Sequence, residues 1–481
     1  MTTKSEPRPT RWAAVAALSV AVASGCTVAG NAASGDGATT VVVGYQSKTI
    51  NTVTAGTLLR SLGYFEKRLA ELGKSEGRTY RVVWQDYETG ASITAQMLAE
   101  KIDIGSMGDY PLLINGTRAQ AQGADARTEF VSVTGYNLRG SLNGVVVAGD
   151  SRARTLADLK GKSVSASVGS AGHGTLVQAL GKYGIDPGKG VKIENQTPSV
   201  GVSALQSGGV AGLAQFVAWP GLLVQKDGAR LLYDGGDLDV PTFHGVVVPH
   251  RVAEERPKVL AAFLRAQIDA TGYLHREPLK ASESVAAVTG LPVETIYLYN
   301  GRGGVATFDT TMKPRLSAAL AHDVPFLKSI GVLRDSIDLK SFVNDSYLRK
   351  VYGSGYDGAV ASTANPAAIT GTDQVCGTKV DDPARAGEVW VDGESTIRPV
   401  ASPVCLLRTV QAGGRRTRAV YIPDAVTGTR WFADRMSWVE DPGAAKDDRF
   451  KPFATAEGAR KYVTAHSGAK DVPYAEAVKR S

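Results

Sequence analysis

The sequence predicts an α/β fold with parallel-rich sheets covered by helices on both faces, followed by a small C-terminal α+β domain. Three observations carry this expectation. Short apolar runs alternate with amphipathic helical stretches from about residue 40 to residue 250, as in parallel strands joined by helical crossovers. The stretch from Arg251 to Tyr352 is almost wholly helix-patterned. Residues 353–373 are then rich in Gly, Ala, Ser, Thr and Pro, the composition of a linker before residues 374–481.

Each element follows from its local pattern. Val41-Val42-Val43-Gly44-Tyr45 reads as a short buried strand. Thr57 to Leu72 reads as a helix, because Leu58, Leu59, Leu62, Phe65 and Leu69 share one face. Tyr80 to Trp84 is a strand, Ile93 to Glu100 a helix, and Ile102 to Ile104 a short strand. Strands are expected at Val131–Thr134, Leu142–Val147, Ser163–Val168 and Val191–Asn195, with helices over Thr175–Tyr183 and Val200–Ser207. In the C-terminal unit, strands are expected near 388–391, 417–422 and 431–433, with a final helix from Ala456 to Ala465.

Composition narrows the function. Of 481 residues, 43% are apolar and 21% charged, an ordinary globular balance. The net charge of +7 is dispersed without a long basic run, which argues against nucleic acid as a partner. Three cysteines exclude a disulfide scaffold. No Gly-x-Ser-x-Gly elbow, Walker loop or His-Glu-x-x-His motif is present, and the six histidines form no ligand-spaced cluster. Gly301-Arg302-Gly303-Gly304 lacks a following Lys-Ser/Thr, so it reads as a turn. No enzymatic activity and no cofactor are expected.

The N-terminus reads as an address. Lys4, Arg8 and Arg11 precede an apolar run from Trp12 to Val22, too short to span a bilayer, which takes about 20 residues. Ala23-Ser24-Gly25-Cys26 resembles the bacterial lipobox, with Ala23 where leucine is usual. The resemblance implies a signal peptide over 1–25, lipidation of Cys26, and a flexible tether over 26–39. The chain would then sit on the extracytoplasmic face of the bacterial membrane, where multiple acylation anchors stably.

Several motifs in the middle of the chain occur together in order. They are Ile102-Asp103-Ile104-Gly105-Ser106-Met107-Gly108-Asp109-Tyr110-Pro111, then Thr155 to Val164, then Ser167-Val168-Gly169-Ser170-Ala171-Gly172-His173. Ala204-Leu205-Gln206-Ser207-Gly208 and Ala218-Trp219-Pro220 complete the set. The run resembles the substrate-binding proteins of ABC importers, in particular the nitrate/sulfonate/taurine family with its thiamine-precursor relatives, over residues 40–352. The resemblance implies a two-lobed, type II periplasmic-binding-protein-like fold with a hinge. Lobe 1 is expected at about 40–145 and 240–352, and lobe 2 at about 146–239, with hinge segments at Asn143–Gly149 and Tyr233–His250. It also implies a monomer that delivers a small anionic solute to permease and ATPase subunits.

The expected ligand-binding residues are Tyr45, Gln46, Gly108, Asp109, Ser170, Gly172, His173 and Trp219. The 169–174 loop precedes a helix, whose free N–H groups and positive dipole end favour an anion. Asp109 either caps its helix or pairs with a ligand amine, with Asp86 and Glu88 as alternative amine partners. The family's usual aspartate before the tryptophan segment is missing from Gly209-Val210-Ala211-Gly212-Leu213, so no single relative's ligand carries over.

The C-terminal unit, through Cys376-Gly377-Thr378, Tyr421 to Asp434 and Phe450 to Ala454, is similar to the NosL-like copper-chaperone lipoproteins. Their sulfur ligands suit Cu(I). Here Thr378 replaces the expected methionine, leaving Cys376, Cys405, His466 and Met436 as the candidate soft-metal set. With Cys26 lipidated, Cys376 and Cys405 are alternatively a disulfide, the default outside the cytoplasm, worth ~3 kcal/mol. The leading expectation is therefore a lipid-anchored solute-binding component for an alkanesulfonate-, taurine- or nitrate-like anion. The alternatives are a Cu(I)-handling protein that binds a metal complex, and a pyrimidine binder that stacks its ligand on Tyr45, Trp84 and Trp219.

Overall fold

Eleven strands build the main body. The structure, a computed structural model, describes residues 1–2, 37–414 and 416–481. The signal peptide, Cys26 and nearly all of the 26–39 tether lie outside the described residues. The strands are Thr39–Tyr45 (β1), Tyr80–Asp86 (β2), Ile104–Gly108 (β3), Thr128–Asn137 (β4), Asn143–Val147 (β5), Ser163–Ala166 (β6), Lys192–Asn195 (β7), Gly212–Phe216 (β8), Arg230–Asp234 (β9), Thr242–Pro249 (β10) and Thr307–Phe308 (β11).

They form two sheets, ordered β11-β4-β10-β3-β1-β2 and β7-β6-β8-β5-β9. β2, β1 and β3 run parallel, as do β7, β6 and β8. The remaining strands pair antiparallel, β10 on β3 and β4, and β5 on β8 and β9. These antiparallel strands flank the two crossings between lobes. The first crossing lies between Asn137 and Asn143 and the return between Asp234 and Thr242. The first hinge thus precedes the expected Asn143–Gly149, because Asn143–Val147 already pairs within the lobe-2 sheet.

Local sequence explains the main departures. The expected 57–72 helix is two helices, Thr57–Leu62 and Tyr64–Glu76. They are broken at Gly63, whose φ of 62° is left-handed, a conformation glycine adopts without Cβ strain. In the expected linker, Tyr356–Ala361 is helical and Ala367 and Ile369 are buried. The helix at 456–465 is not the last element, since a strand at Lys470–Val472 and a helix at Tyr474–Arg480 follow it.

The C-terminal domain is not a detached unit. One apolar cluster joins Ile50 and Leu58 of lobe 1, Val217 and Leu223 of lobe 2, Tyr297 and Leu298, and Trp390, Tyr421 and Trp431 of the C-terminal domain. At its centre Glu388, with a fully buried side chain, accepts from Arg430 (2.7 Å), Arg302 (3.0 Å) and the Tyr297 hydroxyl (3.2 Å). The Arg430 guanidinium lies 4.4 Å from the Tyr421 ring centre. A second polar contact reaches the hinge. The Thr429 hydroxyl meets Ser141 Oγ at 2.6 Å and Asp234 Oδ2 at 2.5 Å, touching both crossing segments.

Cys376 and Cys405 are joined by a disulfide, with Cα atoms 5.9 Å apart. The bond fastens the start of the domain to the Pro403–Ala412 helix. Buried Asp373 accepts N–H groups of Val375, Cys376 and Ala401 beside it. Among the described residues no helix is long and apolar enough to cross a membrane.

Candidate functional site

Helix starts converge on the space between the lobes. Gly90–Leu98 and Asp109–Ala121 belong to lobe 1, and Ala171–Lys182 and Pro198–Gln206 to lobe 2. Their cap residues Thr89, Gly108, Ser170 and Thr197 all line one cavity of about 210 Å³. The first N–H groups of a helix have no partner within it, and they carry its partial positive charge. Gln46, Asn195, Gln196 and His244 supply further polar groups, while Pro111, Ile114 and Phe216 supply apolar wall. Among the described residues, no Lys, Arg, Asp or Glu lines the cavity.

His244 is a donor of fixed tautomer. Asn51 Nδ2 lies 3.1 Å from the Gly135 carbonyl, an obligate acceptor, which orients the amide. The same Nδ2 lies 2.7 Å from His244 Nδ1, so Nδ1 accepts and Nε2 carries the proton. Burial lowers the His244 pKa to about 3, so the ring is neutral at physiological pH. Gly108 gives this ring its room, since a Cβ there would sit 3.1 Å from Nε2.

The lobes meet across the cleft. Gln178 Nε2 donates to the Tyr110 hydroxyl at 2.9 Å, and Ser199 N–H donates to Glu88 Oε1 at 2.8 Å. Gly174 is required beneath the Tyr110 ring, because a Cβ would approach it to 2.0 Å.

The expected binding residues divide. Gln46, Gly108 and Ser170 line the cavity. Ser170 Oγ accepts the His173 N–H at 3.2 Å as an N-cap, which leaves its own hydroxyl hydrogen to donate. Tyr45 does not line the cavity. It packs edge-on to Trp84 at 5.7 Å, and its hydroxyl accepts from Arg60, because strand alternation turns it away where Gln46 faces in.

Asp109 is also outside the cavity. It is 1% exposed, and its carboxylate accepts from Tyr110 N, Thr242 Oγ1 and Phe243 N, tying its helix to β10 with no face for a ligand amine. Asp86 holds Ser47, and Glu88 is engaged at Ser199, so neither alternative amine partner lines the space. Gly172 packs against β8, where a Cβ would lie 2.8 Å from Gln215. His173 is buried, with Nδ1 3.5 Å from the Gly169 N–H. Trp219 lines a neighbouring vestibule with Lys48, whose Nζ is 5.9 Å from the ring centre. None of Tyr45, Trp84 and Trp219 walls the cavity, so the aromatic stack expected of a pyrimidine site is not formed there.

In the C-terminal domain the sulfurs of Cys376 and Cys405 are bonded to each other. His466 instead stacks on Tyr462 at 3.8 Å. The soft-metal set is therefore not assembled. His244, Asn195, Gln196 and Phe216 were missed in the sequence. The one signal was a lone histidine inside an otherwise apolar strand, Thr242–Pro249.

Behind Asp109 lies Asp323, 1% exposed, with Oδ2 lacking a partner. Burial and the neighbouring Asp109 charge raise its pKa. The folded chain thus keeps a proton that the unfolded chain releases near pH 4. Its stabilising effect is full below that pH and is lost as pH rises through the raised value. We expect Asp323→Asn to be more stable than the parent at pH 8, and to lose part of the fall in stability between pH 5 and 8 in urea unfolding. Equal slopes would show that Asp323 titrates normally.

The architecture is that of a two-lobed periplasmic-binding-protein-like fold. It resembles the alkanesulfonate-binding protein SsuA from Xanthomonas axonopodis pv. citri, with a TM-score of 0.54 at 22% identity, covering 63% of this chain and 98% of that one. Residues 89–281 match the family described as NMT1/THI5 like. The chain is 28% identical to an aliphatic sulfonates-binding protein of Escherichia coli, over 53% of this chain and 74% of the relative. It is 27% identical to the taurine-binding periplasmic protein of the same organism, over 52% and 76%.

Proposed function

We propose that this chain is the extracytoplasmic solute-binding component of an ABC importer, and that it captures a small organic anion of the alkanesulfonate type. The observation that carries the reading is the cavity's lining: among the described residues it holds no formally charged side chain, the helix starts at Gly90 and Ala171 keep open first-turn N–H groups beside it while those of Tyr110 and Ser199 are taken by Asp109 and Glu88, and the neutral Nε2–H donor of His244 completes it. A cradle of N–H and O–H groups stabilises an anion without the desolvation cost of burying a lysine. Pro111, Ile114 and Phe216 suit an alkyl tail. Among the described residues no carboxylate lines the cavity, so the ammonium of taurine would find no counter-charge there. The relatives named for sulfonate and taurine binding support the solute class.

Binding does no chemistry on the solute. It stabilises the joined state of the lobes, which contact each other through Tyr110–Gln178 and Glu88–Ser199. The permease and ATPase subunits would then receive the solute from this state, with the chain held at the membrane through a lipidated Cys26.

Titration calorimetry tests the reading. We expect 1-butanesulfonate to bind with micromolar affinity, taurine at least tenfold more weakly, and nitrate and a hydroxymethylpyrimidine weakly or not at all. Tight pyrimidine binding with no sulfonate binding would overturn it.

A further inference from the structure

A second enclosed space lies far from this chemistry, on the seam between lobe 2 and the C-terminal domain. Its volume is about 160 Å³, the room of about five waters at ~30 Å³ each. Lobe 2 contributes Tyr183, Tyr233 and Asp237, and the C-terminal domain contributes Glu457, Lys461 and Tyr462. The Tyr183 hydroxyl donates to Glu457 Oε2 at 2.6 Å, closing the seam on one side. Tyr233 is 2% exposed, and its hydroxyl has no hydrogen-bond partner. A buried hydroxyl left unpaired is costly, so its presence on a cavity wall points to a group that would meet it.

The charge around this space is lopsided. Among the described residues that line it, Asp234, Asp237, Asp424 and Glu457 stand against one ammonium, that of Lys461, with Lys182 reaching Asp237 and Lys451 the Tyr462 ring at its edge. Asp234 and Asp424 are engaged by Gly236, Thr429, Val426, Thr427 and Ala454, so they contribute field rather than contact. Asp237 keeps acceptor capacity, its nearest cation being Lys182 Nζ at 3.8 Å. The chain already places one cation here. Lys461 Nζ lies 2.8 Å from Glu457 and 6.0 Å from the Tyr183 ring centre. Carboxylates beside phenol rings form an environment that attracts ammonium groups.

We propose that this seam cavity is a second ligand site, for a small primary ammonium compound. Its N–H groups would donate to Tyr233 Oη and the Asp237 carboxylate, and its short alkyl part would lie against the tyrosine rings. The occupant touches lobe 2 and the C-terminal domain at once, and it is chemically opposite to the anion assigned to the cleft.

The test uses the full chain, with ethylammonium chloride as probe, tetramethylammonium chloride as a cation without N–H donors, and potassium chloride as ionic-strength control. Binding is read by ligand-observed NMR and calorimetry. We expect saturable one-to-one binding of ethylammonium, at least severalfold weaker binding of tetramethylammonium, and no competition from 1-butanesulfonate. Tyr233→Phe keeps the ring and removes the acceptor, and should weaken ethylammonium about tenfold. Lys461→Met removes the resident competitor and should strengthen it. Absence of saturable binding, indifference to Tyr233→Phe, or weakening by Lys461→Met would each overturn the proposal. Circular dichroism of both variants separates these results from misfolding.

Discussion

Replacing His244 with phenylalanine is expected to weaken sulfonate binding between about tenfold and a hundredfold, the range for losing one hydrogen bond to a charged group. The ring shape is retained, so the effect isolates the Nε2–H donor, whose tautomer is fixed by Asn51 and the Gly135 carbonyl. Because burial holds the His244 pKa at about 3, the parent's affinity should be flat from pH 5 to 8 as far as this residue is concerned. Calorimetry of His244→Phe and His244→Gln at both pH values checks this. Glutamine, which can still donate, should recover part of the loss. An unchanged dissociation constant in the phenylalanine variant would remove His244 from the site.

Glu388→Gln is expected to destabilise the folded chain by about 3–5 kcal/mol, the cost of breaking a buried ion pair from one side. Glu388 joins Arg430 of the C-terminal domain to Tyr297 and Arg302 of the main body, and Trp390 packs on the Tyr297 ring. Without its charge, the Arg430 guanidinium, 4% exposed, is left buried and under-compensated. The double variant Glu388→Gln/Arg430→Met should regain much of the loss, because an unpaired charge no longer remains. Urea unfolding followed by tryptophan fluorescence reads both variants. Trp390, Trp431 and Trp438 report the domain, and Trp84 and Trp219 report the lobes. A cost below 1 kcal/mol for the single variant would mean that the cluster does not hold the domain in place.

Much of this architecture was legible in the chain. Alternating strand and helix patterns located the sheets, because apolar periodicity is set by the same burial that builds them. What escaped was long-range. Nothing near residues 390–431 announces that Trp390 and Tyr421 complete a core begun at Ile50 and Tyr297. Periodicity marks a face for burial without naming its partner. Gly63 was lost inside a strong helical pattern, although a single left-handed residue suffices to end a helix.

Around the cavity, the loops before helices at Gly108 and Ser170 could be found because a glycine-rich turn from strand to helix has a local signature. The side chains beside them could not be sorted the same way. Tyr45 and Gln46 are neighbours that face opposite ways, and Asp109 satisfies one donor on its own helix and two on β10, which is distant in sequence. His244 reaches the cavity only because β10 returns from the other lobe to lie beside β3. That pairing is a property of topology, with no local trace.

The shared core has a consequence for how the chain can be cut. A protein shortened at residue 373 would lose the cover over Tyr297 and Leu298 and leave a hydrophobic face bare to water. The last hundred residues are thus no detachable passenger. They work as a lid on the main body's own interior, and a fragment without them would be prone to clump rather than serve as a smaller binding protein.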